Sequence, residues 1–193
     1  RGKIILEDLD ICEITNIIRL FNKYDFDEVY NLAAQSFVQS SFFHPIATTN
    51  VTALGALNLL EVIRDKKRKI KFYQASSSEM YGGGIQEQLN ENSKFDPKSP
   101  YAASKFAVEG FSDALRRELL LYGVDVILVE PGPIKTAIWD KVPNQENNEF
   151  TGTDYEPALR NFYKFFIEMG KRGLDPDIIG NKVKDILQNS SPK

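Results

Sequence analysis

Ile70-Lys71-Phe72-Tyr73-Gln74-Ala75 runs directly into Ser76-Ser77-Ser78-Glu79, and this passage decides the fold. Its first six residues read as a strand and the serines as its carboxyl end. From Ser76 to Ser99 the chain is polar, rich in glycine and without periodicity; loops of that length inside compact domains are more often functional than idle. Beyond it, Tyr101 to Leu121 reads as a helix, and Val124 to Val129 as a strand running into Pro131-Gly132-Pro133. On the amino-terminal side, Ile46 to Arg64 carries Val51, Leu54, Leu57 and Val62 as the stripe of a long helix, after a strand from about Glu28 to Ala33. Further back, Ile11, Ile14, Ile17, Ile18 and Phe21 mark another helix, with Asp10 and Glu13 as its capping signal and Lys3 to Leu6 as a strand before it. Strand and helix patterns alternate, so the expected class is α/β, with a Rossmann-like, doubly wound parallel sheet.

Past Lys135 the pattern changes. A polar stretch with Asn144, Asn147 and Asn148 leads to two helices without an intervening strand. The first has Pro157 near its start and Leu159, Phe162, Tyr163, Phe166 and Met169 on one face; the second opens at Asp175-Pro176 and carries Ile179, Val183, Ile186 and Leu187. These carboxy-terminal helices are expected to cap one edge of the sheet or cover a substrate cleft.

Composition narrows the function classes. With 193 residues, 42% of them hydrophobic, the chain is sized for a single domain over residues 1–193. A net charge of −3 without a basic stripe argues against nucleic-acid and anionic membrane partners. The densest basic run, Lys66-Lys67-Arg68-Lys69, falls where a helix ends and reads as a solvated face that complements the helix dipole. Cys12 is the only cysteine and reads as a structural thiol, and one histidine, His44, excludes sites built from several imidazoles. The expected location is cytoplasmic, with no signal peptide and no apolar run long enough to span a bilayer.

Tyr101 and Lys105 are one helical turn apart, so they share a helix face. An ammonium beside a phenol stabilises phenolate and is expected to lower the tyrosine pKa towards a working range. The pair opens a helix after a βα loop, where open α/β sheets place their ligands. Ser77 and its neighbours offer hydroxyls to a substrate oxygen, and Glu79 offers a base; the plainer readings are strand-end turn formation and a solvated carboxylate.

These residues carry a resemblance. Tyr30-Asn31-Leu32-Ala33-Ala34-Gln35-Ser36, Phe72 to Gly82, and Ser99-Pro100-Tyr101-Ala102-Ala103-Ser104-Lys105 closely resemble the GDP-mannose 4,6-dehydratases, in the extended branch of the short-chain dehydrogenase/reductases. The resemblance implies that Tyr101 is the acid/base, that Lys105 lowers its pKa and holds the nicotinamide ribose, that Ser77 polarises the sugar C4 oxygen and that Glu79 acts at C5. It further implies that Asp8 and Leu9 contact adenine, that Leu32, Ala33 and Ala34 line the cofactor site, and that Gln35, Ser36 and Ser78 lie nearer the substrate. Hydride would leave C4, water would leave across C5 and C6, and hydride would return at C6. NADP is favoured over NAD as cofactor, a nucleotide sugar is the implied substrate, and dimer-forming helices flank the tyrosine, implying a homodimer or higher homo-oligomer.

The second part differs. Phe106 to Leu119 and Glu130-Pro131-Gly132-Pro133-Ile134-Lys135-Thr136 resemble the single-domain branch, as in hydroxysteroid and retinol dehydrogenases, and there Ile134 and Thr136 would meet the nicotinamide amide and pyrophosphate. Residues 1–105 thus look like one branch and residues 106–193 like the other, as in a fusion, a recombined fragment or an engineered chimera. No Gly-x-x-Gly-x-x-Gly turn is present, and Gly82-Gly83-Gly84 reads as loop flexibility. The chain is therefore expected to be amino-terminally truncated, beginning at the third strand of the usual fold. The first strand would then pair directly with the Glu28 strand, detach, or leave a gap for another chain. Three functions follow as expectations: a sugar-nucleotide 4,6-dehydratase, a carbonyl or alcohol oxidoreductase, or a non-catalytic fragment.

Overall fold

The computed structural model describes residues 4–66, 69–82, 92–122, 125–141, 151–154 and 156–189. They divide into two compact units, residues 1–130 and 131–191.

The first unit is built on three parallel strands, β1 (Glu28–Asn31), β2 (Lys71–Ala75) and β3 (Val126–Val129), in that spatial order. Val29 pairs with Phe72 and Phe72 with Val126, so these three share one sheet face. Phe72 is 1% exposed, in a single core with Ile17 and Phe21 of α1 (Ile14–Lys23), Leu59, Leu60 and Ile63 of α4 (Gly55–Lys66), and Leu119 of α5 (Pro100–Leu119). The period of two along β2 puts Tyr73 on the opposite face, where its ring lies 5.9 Å from that of Tyr30. The α/β class and Rossmann-like parallel sheet expected from the sequence are those observed.

Several local expectations are corrected. Residues 4–6 form no strand, and Ile4 and Leu6 are more than four-fifths exposed: β1 is hydrogen-bonded to β2 alone, so the first run has no neighbour to complete a ladder. Of the alternatives, direct pairing with the Glu28 strand is not formed among the described residues. The next residues are tied to the core by side chains: Asn58 Nδ2 donates to Ile11 O at 3.0 Å. Asp10 does not cap α1; its carboxylate accepts from Cys12 N in a turn ahead of the helix, which starts without a side-chain cap.

The long helix expected over 46–64 is a relay. A short α2 (Val38–Phe43), which the sequence pattern did not suggest, and α3 (Pro45–Thr49) lead through a π-type turn at Asn50–Leu54 into α4. From Pro45 to Lys66 this relay is, by length and composition, long and apolar enough to cross a membrane, contrary to expectation. Its buried side chains, from Ala53 to Ile63, belong to the two core clusters of the first unit, and it reads as a core helix.

In the second unit, Leu174 N donates to Pro133 O and Lys135 N to Leu174 O, both at 2.8 Å, closing a parallel bridge between Ile134 and Leu174. Trp139 Nε1 donates to Ile134 O at 2.6 Å. The indole lies flat against Gly170 of α6 (Glu156–Lys171), where a Cβ would sit 2.1 Å from the ring, so only glycine fits. Asp175 caps α7 (Pro176–Gln188) as expected, accepting from Asp177 N at 2.9 Å. The side chains of Leu159, Phe162, Tyr163, Phe166 and Met169, together with Lys67, Arg68, Gly83, Gly84, Asn144, Asn147 and Asn148, lie outside the described residues.

Candidate active site at the carboxyl end of β2

Parallel pairing brings the carboxyl ends of all three strands to one edge of the sheet. At the end of β2, Ser77 caps a short 3-10 turn (Ser78–Tyr81): its Oγ accepts from Glu79 N at 3.3 Å. That acceptance leaves the Ser77 O–H free to donate, and the Ser77 side chain acts on the Tyr101 phenol in the direction that lowers its pKa. The turn closes on Gly82 at φ +87°, where a Cβ would meet Asp96 O at 2.5 Å, while Asp96 N donates to Met80 O at 2.9 Å. Tyr81 stacks on Phe95, and Phe95 meets Phe106 of α5, their rings 4.8 and 4.9 Å apart. The loop expected to be irregular is thus folded at both of its ends.

Ser99 caps α5 by accepting from Ala102 N at 3.1 Å, with Pro100 in its first turn. This start places Tyr101 and Lys105, 8% and 3% exposed, beside the end of β2. Lys105 Nζ donates to Ala75 O at 2.7 Å and lies 5.8 Å from the centre of the Tyr101 ring. Ala75 O also accepts from Gln74 Nε2 at 2.9 Å, and Gln74 Oε1 accepts from Asn31 Nδ2 at 2.8 Å. A buried polar chain therefore joins the end of β1 to Lys105.

The electrostatics depart from the sequence expectation. Burial pushes the Tyr101 phenol above its ordinary range, with Ser77 opposing and the charge of Glu79 adding to the rise. Burial takes the Lys105 ammonium down to about 8, partly offset by Glu109. Glu79 is likewise raised by burial. Each group is moved towards its neutral form because it is out of water, and the ammonium hydrogen-bonds a carbonyl, not the phenol.

The other expected site residues are placed differently. Leu32 and Ala33 are exposed at the end of β1, with Ala33 N donating to Asn31 Oδ1. Ala34 is half-buried; Gln35 N donates to Thr52 Oγ1 at 3.3 Å, its Nε2 to Phe37 O, and its buried Oε1 has no partner. Ser36 is exposed and Ser78 half-buried in the 3-10 turn. Asp8 and Leu9 sit in the exposed segment before α1, where Arg19 Nη2 donates to Asp8 O. Ile134, half-buried, and Thr136, exposed, belong to the second unit. Sequence reasoning missed Gln74, Asn31, Glu109 and Glu130; the one available signal was Glu109, spaced a helical turn from Lys105.

For a nicotinamide dinucleotide, the residues at the strand ends fit one part of the group. One Lys105 proton is taken by Ala75 O, leaving two for a ribose diol, and apolar Leu32 to Ala34 are open at the neighbouring strand end. A glycine turn for the pyrophosphate is not among residues 1–193.

A parallel sheet with a buried Tyr-x-x-x-Lys helix start at its carboxyl edge defines a short-chain dehydrogenase/reductase. Within that superfamily the chain belongs to the GDP-mannose 4,6 dehydratase family, whose model matches residues 1–147. It is 45% identical over 123 residues to GDP-mannose 4,6 dehydratase 1 of Arabidopsis thaliana, covering 62% of this chain and 34% of the plant protein. It is also 44% identical over 94 residues to an NADPH-dependent 3-dehydrocapnine reductase of Ornithobacterium rhinotracheale, covering 49% and 33%. Among solved structures, RMD from Pseudomonas aeruginosa complexed with NADPH superposes with a TM-score of 0.57 at 26% identity, covering 66% of this chain and 43% of that one. The chain spans about a third of the length of the curated relatives it matches.

Proposed function

We propose that residues 1–130 carry the acid-base part of an NADP-dependent GDP-mannose 4,6-dehydratase. The observation that supports it best is the geometry at the end of β2: Tyr101 and Lys105 are buried one helical turn apart, Lys105 Nζ is held by Ala75 O, and Ser77 and Glu79 both bear on the Tyr101 phenol. Bound at the strand ends, NADP would supply hydride acceptance from sugar C4 and return at C6. Ser77 donates a hydrogen bond to the C4 oxygen. Tyr101, ionised with Lys105 stabilising its phenolate, takes the proton from that hydroxyl as hydride leaves C4 and becomes the neutral phenol. Glu79 removes the C5 proton and delivers one to the departing C6 hydroxyl; its raised pKa suits a group that must both accept and donate. Turn, strand end and helix start hold all four groups before substrate arrives.

The reductase relative favours a second reading, hydride transfer to a carbonyl without elimination. Glu79→Gln separates the two: it abolishes conversion of GDP-mannose to the 4-keto-6-deoxy product under the first and spares carbonyl reduction under the second. Both require saturable NADPH binding, read by cofactor fluorescence. A chain that binds none at millimolar NADPH is the non-catalytic alternative, and both enzymatic readings fail. By resemblance, two copies would pair through the helices flanking Tyr101, with Leu54 at the end of the π-type turn and Phe106 on α5 43% and 41% exposed; light scattering on the eluting chain tests this.

A further inference from the structure

Two side-chain amides join the ends of β1 and β2 below the surface. Asn31 and Gln74 are register partners across the β1–β2 pairing, 4% and 1% exposed, on the sheet face that also carries Phe72. Asn31 Oδ1 accepts from Ala33 N at 3.1 Å and Asn31 Nδ2 donates to Gln74 Oε1 at 2.8 Å. Gln74 Nε2 donates to Ala75 O at 2.9 Å, the same oxygen that accepts from Lys105 Nζ at 2.7 Å. Both ends of this row are backbone groups of fixed kind: Ala33 N–H can only donate and Ala75 O can only accept. That sets how each amide is turned, and every bond in the row agrees with it. A carbonyl oxygen has two lone pairs, so with one engaged by Gln74 the Lys105 ammonium has a single direction of approach. Two apolar side chains could fill this place beside Phe72 without the desolvation cost that buried amides carry. The proposed proton transfers use neither amide, yet the row runs from Lys105 to Ala33 at the open strand end.

We propose that Gln74 is a positioning residue for Lys105, and that the Asn31–Gln74 pair couples Lys105 to the strand end at Ala33 that the proposed cofactor would cover. A ligand that moves Ala33 displaces the Asn31 amide and, through Gln74, the donor that shares Ala75 O with Lys105. In the other direction, the row holds the Ala33 N–H turned inward while the residue itself stays exposed. The inference deepens the reading of the Tyr101 site as catalytic, but its first tests need neither cofactor nor turnover.

Magnetic resonance on the full chain reads both ends of the row. The Ala33 amide, in an exposed residue, should exchange with water at least about tenfold more slowly than an open amide. Carbon-13 labelling at lysine Cε, with Lys105→Arg for assignment, should show Lys105 with the restricted motion of a held side chain. Gln74→Met keeps the side-chain length and removes both of its bonds; Lys105 Cε should gain motion and the Ala33 amide should lose its protection. Asn31→Ala cuts the row at the other end and should still be felt at Lys105. A merely structural pair would disturb only the group bonded directly to the substituted residue. An unprotected Ala33 amide or a freely moving Lys105 in the parent chain, or responses confined to the direct partner, overturn the inference. If one variant does not fold, the parent spectra and the other variant still decide. With cofactor, Gln74→Met should weaken NADPH binding by about three- to tenfold and lower kcat on GDP-mannose by about tenfold, the KM for the sugar changing less than about threefold. An unchanged kcat in a folded Gln74→Met chain overturns the positioning role. Failure of the parent chain to bind NADPH would sink the functional reading and leave the resonance results standing.

Discussion

The carboxyl ends of β1 and β2 are neighbours in one sheet and differ in every property that matters for chemistry. At the end of β2, Ser76, Tyr101 and Lys105 are 9% exposed or less, and they and Ser77 are tied by hydrogen bonds to a capped turn, a capped helix and a backbone carbonyl. At the end of β1, Leu32 is 71% exposed, Ala33 N bonds only to nearby Asn31, and the chain then returns to the interior where Gln35 N reaches buried Thr52. Acid-base groups need fixed geometry and a displaced pKa, which burial supplies; a surface for a flat apolar ring needs neither, and gains from staying open until the ligand covers it. The buried Asn31–Gln74 bond connects the two ends, so the open one is anchored by the closed one.

The largest effect that tests this contrast is Tyr101→Phe. Loss of the phenol should reduce turnover of the chain's substrate by roughly 10²–10⁴-fold with NADPH binding changed little; a variant that turns over normally removes the closed end from the chemistry. Next is Lys105→Met. Because burial lowers the Lys105 pKa from 10.5 to about 8, the unfolded chain holds more protons between those values, so native stability rises as pH climbs through that window and the full cost of burial is present below it. Lys105→Met should remove that slope and, with Ala75 O still served by Gln74, raise stability at pH 7 by about 1–3 kcal/mol. Urea unfolding at neutral and alkaline pH measures both, and a destabilised variant with the slope intact breaks the argument. The smallest effect belongs to the open end. Leu32→Ala should change stability by no more than about 0.5 kcal/mol and weaken NADPH binding by about three- to tenfold; a stability loss of the size seen in cores would show that this end is not open.

Much of this was legible in the residues. The strand pattern of β2 and the serines after it located a strand end, and the helix read from Tyr101 put Tyr101 and Lys105 one turn apart, its Ser99 cap appearing only in the structure. The stretch from 38 to 54 was not legible as its short helices and π-type turn: a continuous apolar pattern does not reveal where backbone hydrogen bonds shift by one residue. Nor was the first run, since Lys3 to Leu6 has strand composition, but strands exist only in pairs.

The sequence by itself determined the class, the order of its elements and the Tyr101–Lys105 pair, because periodicity, caps and spacing are local properties. Only the tertiary structure decided which groups are out of water: that Tyr101 and Glu79 rise, that Lys105 falls and turns to a carbonyl, and that Glu109 meets Ser76 across 33 positions of chain. Charge in a protein is set by desolvation and by neighbours brought from elsewhere in the chain, and neither is written in any single stretch of residues.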